Sequence, residues 1–195
     1  MDYSSIDLKT FLRIRNEIPK DKLYDVTIEV YKVWGTVNFP IDALLAAKAL
    51  RPPNYLDKLP TRFKHEDTIR IFRASNTPPK YSDELPEEYS WTIHLKDALW
   101  YARHGTDERF VYCGDISKKD IIGYTTHAHQ VIQYNSVKDV GYLTPNMLRA
   151  YTTLYKNDEY RDEIEEEVSN KFMKFMMGQT GFPSYSTEEL LSSIL

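Results

Sequence analysis

Polar side chains that could bind a ligand occur in three short segments of the chain, in a fixed order. Arg73 lies late in a strand-like run, Ser90-Trp91-Thr92 precedes a helical stretch, and Gln130 begins a second strand-like run. Arginine presents a rigid fork of donors that suits anionic oxygens better than a lysine ammonium does. Taken singly, Arg73 is more often a solvated edge-strand charge and Ser90 a helix cap. Their order and spacing therefore carry the argument.

Other kinds of chemistry receive less support from the sequence. His127 and His129 lie two residues apart, and such a pair on a strand could coordinate a metal. The sequence pattern does not indicate the further ligands that a metal site would need. We expect solvated loop histidines and no metal. Cys113 is the single cysteine, which excludes an internal disulfide, and its apolar surroundings favour a buried thiol. The chain lacks a Gly-rich phosphate loop, a Gly-x-Ser-x-Gly turn and a His-Glu-x-x-His pair, which weakens hydrolase and P-loop interpretations.

In their order, the three polar segments resemble the Arg-Ser-Glu class of ADP-ribosyltransferases. The likeness is strongest to uncharacterised members, often encoded by phages or prophages, in which an arginine-bearing strand is followed by Ser-Trp-Thr and a short amphipathic helix. It covers about residues 67–138, including Phe110-Val111-Tyr112 and residues 117–124. The resemblance implies an α+β fold with an ADP-ribosyltransferase-like split mixed sheet, and NAD as substrate or ligand. A host protein as acceptor, and the host cytoplasm as location, would follow from a phage origin alone.

The resemblance assigns catalytic roles to Arg73, Ser90 and Gln130. Arg73 would hold the NAD phosphates and ribose, and Ala74 would offer its backbone to the nicotinamide amide where the family more often has glycine. Ser90 would brace the nicotinamide ribose and the catalytic residue. The remaining cofactor-binding candidates are Thr92, which would hold the catalytic strand in place, and Trp91 and Tyr101, which would pack beside the nicotinamide.

The catalytic position itself departs from the family pattern. The family cleaves the nicotinamide–ribose bond through an oxocarbenium-like transition state, which a nearby carboxylate stabilises. Here that position is Gln130, and the residue two before it, acidic in arginine-modifying relatives, is Ala128. Glutamine can hydrogen-bond a ribose hydroxyl, but it supplies a dipole in place of a full charge. Losing one such electrostatic contact typically costs about 10² to 10³ in rate.

Three functions therefore stay open at this point. The first is an ADP-ribosyltransferase-like enzyme that modifies a host protein and whose NAD turnover depends on Arg73 and Ser90. The second is a catalytically silent relative, a pseudoenzyme that binds NAD or another nucleotide without releasing nicotinamide. The third is a protein-binding scaffold, in which Arg73→Ala leaves function unchanged.

The length of the chain predicts a single domain, residues 1–195. Hydrophobic patterning predicts the helices and strands that position these residues. Residues 1–60 predict a helical N-terminal segment. Its first helix is capped by Ser4 and Ser5, its second spans 21–34 and its third 41–50. The core at 67–138 begins with a strand, continues with a proline-containing loop, the Ser90-Trp91-Thr92 turn and a short helix, and ends with strands at 109–115, 121–125 and 130–134. Residues 144–195 predict a helical C-terminal segment.

Charge and hydropathy argue against two classes of partner. The 25 basic and 29 acidic residues give a net charge of −4, which argues against a surface that follows nucleic-acid phosphates. The longest apolar run, Ala43 to Ala47, is far shorter than the roughly 20 residues that span a bilayer. The first residues also lack the basic and apolar parts of a signal peptide. We expect a cytoplasmic protein without a membrane partner.

Overall fold

A computed structural model describes residues 6–34, 39–76, 89–103 and 110–143 of the protein. Within these residues the chain is α+β, as the sequence predicts, with four α-helices and one six-stranded sheet. The predicted loop at 75–88 and the predicted helical segment at 144–195 lie largely or wholly outside the described residues.

Three helices precede the sheet: α1 (Leu8–Ile14), α2 (Lys20–Trp34) and α3 (Ile41–Ala49). The second and third match their predicted spans to within one residue at each end. The first begins later than predicted, because the Asp7 carboxylate accepts a hydrogen bond from the Thr10 amide at 2.6 Å. Asp7 is therefore the cap of α1, three residues before the amide that it satisfies.

The strands are β1 (Thr68–Ser75), β2 (Ser90–Thr92), β3 (Phe110–Ser117), β4 (Gly123–Thr125), β5 (Gln130–Ile132) and β6 (Lys138–Leu143), and helix α4 (Leu95–Arg103) follows β2. They form one sheet in the order β4-β5-β2-β1-β3-β6. All five described strand pairs are antiparallel, which corrects the expected mixed sheet. Parallel neighbours need long crossover connections, whereas β4–β5 is joined by only a few residues.

Two further assignments are corrected by the pairing of the strands. Ser90-Trp91-Thr92 is a strand rather than a turn, because all three residues pair with residues 130–132 of β5. Strand β6 was not predicted from the sequence, and it pairs with the far edge of β3.

Helix α2 packs closely against β4. Gly123 makes this approach possible, since a Cβ atom there would lie 2.7 Å from Cδ1 of Ile28. The Tyr24 hydroxyl, also on α2, donates a hydrogen bond to the Ile122 carbonyl at 3.2 Å. The helical N-terminal segment is thus joined to the β4–β5 side of the sheet, and Ile122 and Ile132 belong to its apolar core.

Candidate functional site

Strands β1 and β2 separate at the middle of the sheet. Their one registered pair is Phe72 opposite Thr92, whereas β1 stays paired with β3 from Thr68 to Ser75. Beyond Phe72, β1 therefore stays paired with β3 and has no registered partner on β2. We call this interruption of the β1–β2 pairing the opening, and it lies between the residues that carry two of the predicted site segments, Arg73 and Ser90.

Arg73 spans this opening. Its guanidinium Nη1 donates a hydrogen bond to the backbone carbonyl of Ser90, and the side chain is partly buried. The pairing of Phe72 with Thr92 fixes which face each neighbouring side chain takes, because side chains alternate along a strand. Ser90 and Thr92 point to one face, and Arg73 points to the other. The structure thus brings Arg73 to the Ser90 main chain and not to the Ser90 hydroxyl face.

Gln130 lies on the same face as Ser90 and Thr92. Thr92 and Gln130 are direct cross-strand partners, and Ser90 pairs with Ile132 one pleat away. Side chains opposite each other in an antiparallel pair have their Cβ atoms about 4.5–5.5 Å apart. The Ser90, Thr92 and Gln130 positions therefore form one polar row across β2 and β5.

The other cofactor-binding candidates have different surroundings. Trp91 is 2% exposed in the apolar core formed with Ile71 and Val131, and its indole Nε1 has no hydrogen-bond partner among the described residues. Tyr101 is 43% exposed on α4, with its ring against that of Trp100. Ala74 is half-buried and its backbone pairs with Val111 of β3. Trp91 is therefore a core residue, and Tyr101 is open to solvent.

A network of polar side chains that the sequence did not predict adjoins this row. Asp97, in the first turn of α4, accepts hydrogen bonds on Oδ2 from the Thr92 hydroxyl at 3.2 Å and from His129 Nδ1 at 3.0 Å. The Thr92 oxygen accepts a hydrogen bond from the His94 amide at 3.2 Å. The His94 and His129 rings meet edge to face, with centroids 4.3 Å apart. These residues come together because β2 ends where α4 and β5 begin.

The partners of each ring determine where the protons lie. Asp97 is a carboxylate and can only accept, so His129 donates from Nδ1, and in the neutral ring the lone pair is on Nε2. Arg62 can only donate, and its Nη2 lies 3.2 Å from Nδ1 of His94. His94 therefore has its lone pair on Nδ1 and its proton on Nε2. The two imidazoles are held in opposite tautomers.

Burial and charge keep His94 neutral. Desolvation, the neighbouring His129 and the Arg62 guanidinium lower the pKa of His94 to about 4. Nearby Tyr124 has its pKa raised, first by burial and then by the Asp97 carboxylate. The centre thus contains one neutral histidine, one carboxylate and one histidine oriented by that carboxylate.

The same geometry argues against a metal held by both histidines. A metal on Nε2 of His94 would require the proton to move to Nδ1, where it would face the Arg62 guanidinium. Within residues 6–34, 39–76, 89–103 and 110–143, no group of three or more His, Cys, Asp or Glu side chains is placed to hold a metal ion.

His127 and Cys113 both have the surroundings that the sequence predicts. His127 is exposed in the 3-10 turn between β4 and β5, as expected for a loop histidine, whereas His129 in the same turn bonds to Asp97. Cys113 is buried as predicted, and this burial raises the pKa of its thiol to about 12. A thiolate nucleophile at Cys113 is therefore excluded at neutral pH.

The chain matches no family model, no curated protein and no solved structure. Among the described helices, none combines the length and the apolar character needed to cross a bilayer.

Proposed function

We propose that the protein binds NAD at the opening between β1 and β2 and, as an ADP-ribosyltransferase-like enzyme, transfers ADP-ribose to a host protein. The observation that carries this proposal is the order of the three polar segments in space. Arg73, Ser90 and Gln130 lie on β1, β2 and β5, which are consecutive neighbours in the sheet. Residues 73, 90 and 130, which are far apart along the chain, thus lie on adjoining strands.

The opening itself supports binding of an extended, anionic ligand. Arg73 is held at this point by its hydrogen bond to the Ser90 carbonyl, so a guanidinium borders the opening. The diphosphate of NAD offers the acceptors that a guanidinium prefers.

A catalytically silent NAD-binding relative is the second candidate function, and Gln130 is the observation that favours it. Gln130 occupies the polar row opposite Thr92, where the proposed chemistry benefits from a negative charge. The amide leaves binding contacts available and removes that charge.

Nicotinamide release by the purified full-length protein separates these two functions. We expect slow release of nicotinamide from NAD by the wild type, abolished in Arg73→Ala and accelerated in Gln130→Glu. NAD binding without release, with turnover gained only in Gln130→Glu, would instead identify the silent relative. If neither the wild type nor Gln130→Glu binds NAD in calorimetry, both nucleotide functions are excluded.

A further inference from the structure

The Asp97–His129 pair has no role in the function proposed above for Arg73, Ser90 and Gln130. It adjoins them directly, because Thr92 both faces Gln130 across the strands and donates a hydrogen bond from its hydroxyl to Asp97. A ligand that contacts Gln130 is therefore separated from this pair only by the Thr92 side chain. His129 is also the immediate chain neighbour of Gln130.

His129 has the arrangement of a general base. A carboxylate bound to Nδ1–H fixes the tautomer, orients the ring and stabilises the imidazolium that forms when Nε2 takes a proton. The His129 side chain is 40% exposed, so a ligand can reach it, while Asp97 is 22% exposed and largely enclosed. The groups that face the ring are Asp97 and the neutral His94, with Arg62 beyond His94.

The backbone of His129 is held in an uncommon conformation. Its φ is +47°, in the left-handed region that residues other than glycine seldom occupy. Its carbonyl accepts a hydrogen bond from the Ile93 amide at 3.3 Å, which continues the β2–β5 pairing beyond Gln130. Strained positions of this kind are concentrated at functional sites. The residue in this conformation is the one whose ring bonds to Asp97.

We propose that His129 is the general base that activates the acceptor nucleophile, a hydroxyl group or water, for transfer of ADP-ribose. This inference rests on the proposed function. As the nucleophile oxygen bonds to C1′ of the nicotinamide ribose, Nε2 of His129 takes its proton. The C1′–N bond breaks, its electron pair leaves with nicotinamide, and the positive charge of the pyridinium ring is thereby neutralised. The imidazolium that results is paired with Asp97.

Chemical rescue tests this role in the full-length protein. His129→Gly removes the imidazole and suits the left-handed backbone, and His127→Gly is the matched control in the same turn. With water as acceptor, we expect His129→Gly to lower the rate of nicotinamide release about 10² to 10⁴-fold, with NAD affinity unchanged. Added imidazole should restore the rate in proportion to its concentration. It should have no effect on His127→Gly, which should match the wild type.

The outcomes separate this inference from the proposed function. A wild-type rate in His129→Gly, or a lowered rate that imidazole does not restore, overturns the role of His129 alone. Absence of nicotinamide release from the wild type overturns both. If His129→Gly is unfolded by thermal melting, His129→Asn serves instead, because asparagine also tolerates this backbone and lacks the ring nitrogen. A wild-type rate in His129→Asn then overturns the inference.

Discussion

The guanidinium of Arg73 donates a hydrogen bond to the main-chain carbonyl of Ser90 across the point where β1 and β2 part. The side chain thus lies in the opening between the two strands, although alternation directs its Cβ away from the face of Ser90 and Gln130. The Arg73 side chain thus bonds to β2 at the place where the backbone pairing of β1 with β2 stops. A ligand in this opening would meet the guanidinium and the edges of both strands.

Asp97→Asn should impair catalysis without impairing NAD binding. The amide can no longer stabilise an imidazolium at His129, and it can hydrogen-bond the ring in either tautomer. We expect nicotinamide release to fall on the order of 10² to 10⁴-fold with an unchanged calorimetric NAD affinity. Asp120→Asn, whose carboxylate instead pairs with Lys48 at 3.4 Å, is the control and should retain the wild-type rate. Equal rates in the two variants would show that Asp97 does not act on the reaction.

The free energy of unfolding should decrease in mildly acidic solution because of His94. Its pKa is about 4 in the folded protein against 6.5 for the free side chain. As pH falls from 6.5 toward 4 the unfolded chain takes up a proton that the folded protein does not, so the folded state loses stability over this range. Above pH 6.5 the contribution is constant. Urea unfolding of wild type and His94→Gln should show a smaller pH dependence in the variant, and parallel curves would contradict this assignment.

Gly114→Ala should destabilise the sheet where β3 meets β6. A Cβ at residue 114 would lie 2.4 Å from Cγ1 of Val137 and 2.9 Å from the carbonyl oxygen of Lys138. Overpacking of this kind typically costs about 1–3 kcal/mol.

Gly141→Ala is the matched control for this overpacking. A Cβ at Gly141 meets only the Cys113 sulfur, at 3.4 Å, and removal of a strand glycine reduces the entropy of the unfolded chain. We therefore expect Gly141→Ala to be neutral or to stabilise by about 0.4–1 kcal/mol. Denaturant midpoints compare the two variants, and equal midpoints would refute the close packing at Gly114.

The sequence predicts those parts of the fold that depend on local patterns. Helix α2 and strand β1 have clear hydrophobic periods, from which the sequence predicts a helix and a strand at these places. The Ser90-Trp91-Thr92 segment is too short to carry a period, so its identity as a strand depends on its partner β5. Strand β6 likewise takes its place from pairing along β3, which no local pattern encodes.

The candidate site divides in the same way. Arg73, Ser90 and Gln130 were found from residue type and order, and the structure brings their strands together. His94 and Asp97 gave no such signal, because an acidic residue in a first turn is ordinary support for the helix dipole. The partner of Asp97, His129, is 32 residues away and has a left-handed backbone that the sequence does not signal. Contacts of this kind arise from the packing of strands and helices and are visible only in the folded chain.

An NAD site at the opening can be tested by calorimetric titration of the wild type, Arg73→Lys and Arg70→Lys with NAD. Arg70 lies on the same strand but makes two hydrogen bonds to Asp115, at 2.9 and 3.2 Å, so its conservative variant controls for changes to β1. We expect the wild type and Arg70→Lys to bind NAD with similar affinity. Arg73→Lys should bind about tenfold or more weakly, the effect of losing roughly 1.4 kcal/mol of charged hydrogen bonding. No binding by the wild type, or equal binding by all three proteins, would contradict an NAD site at the opening between β1 and β2.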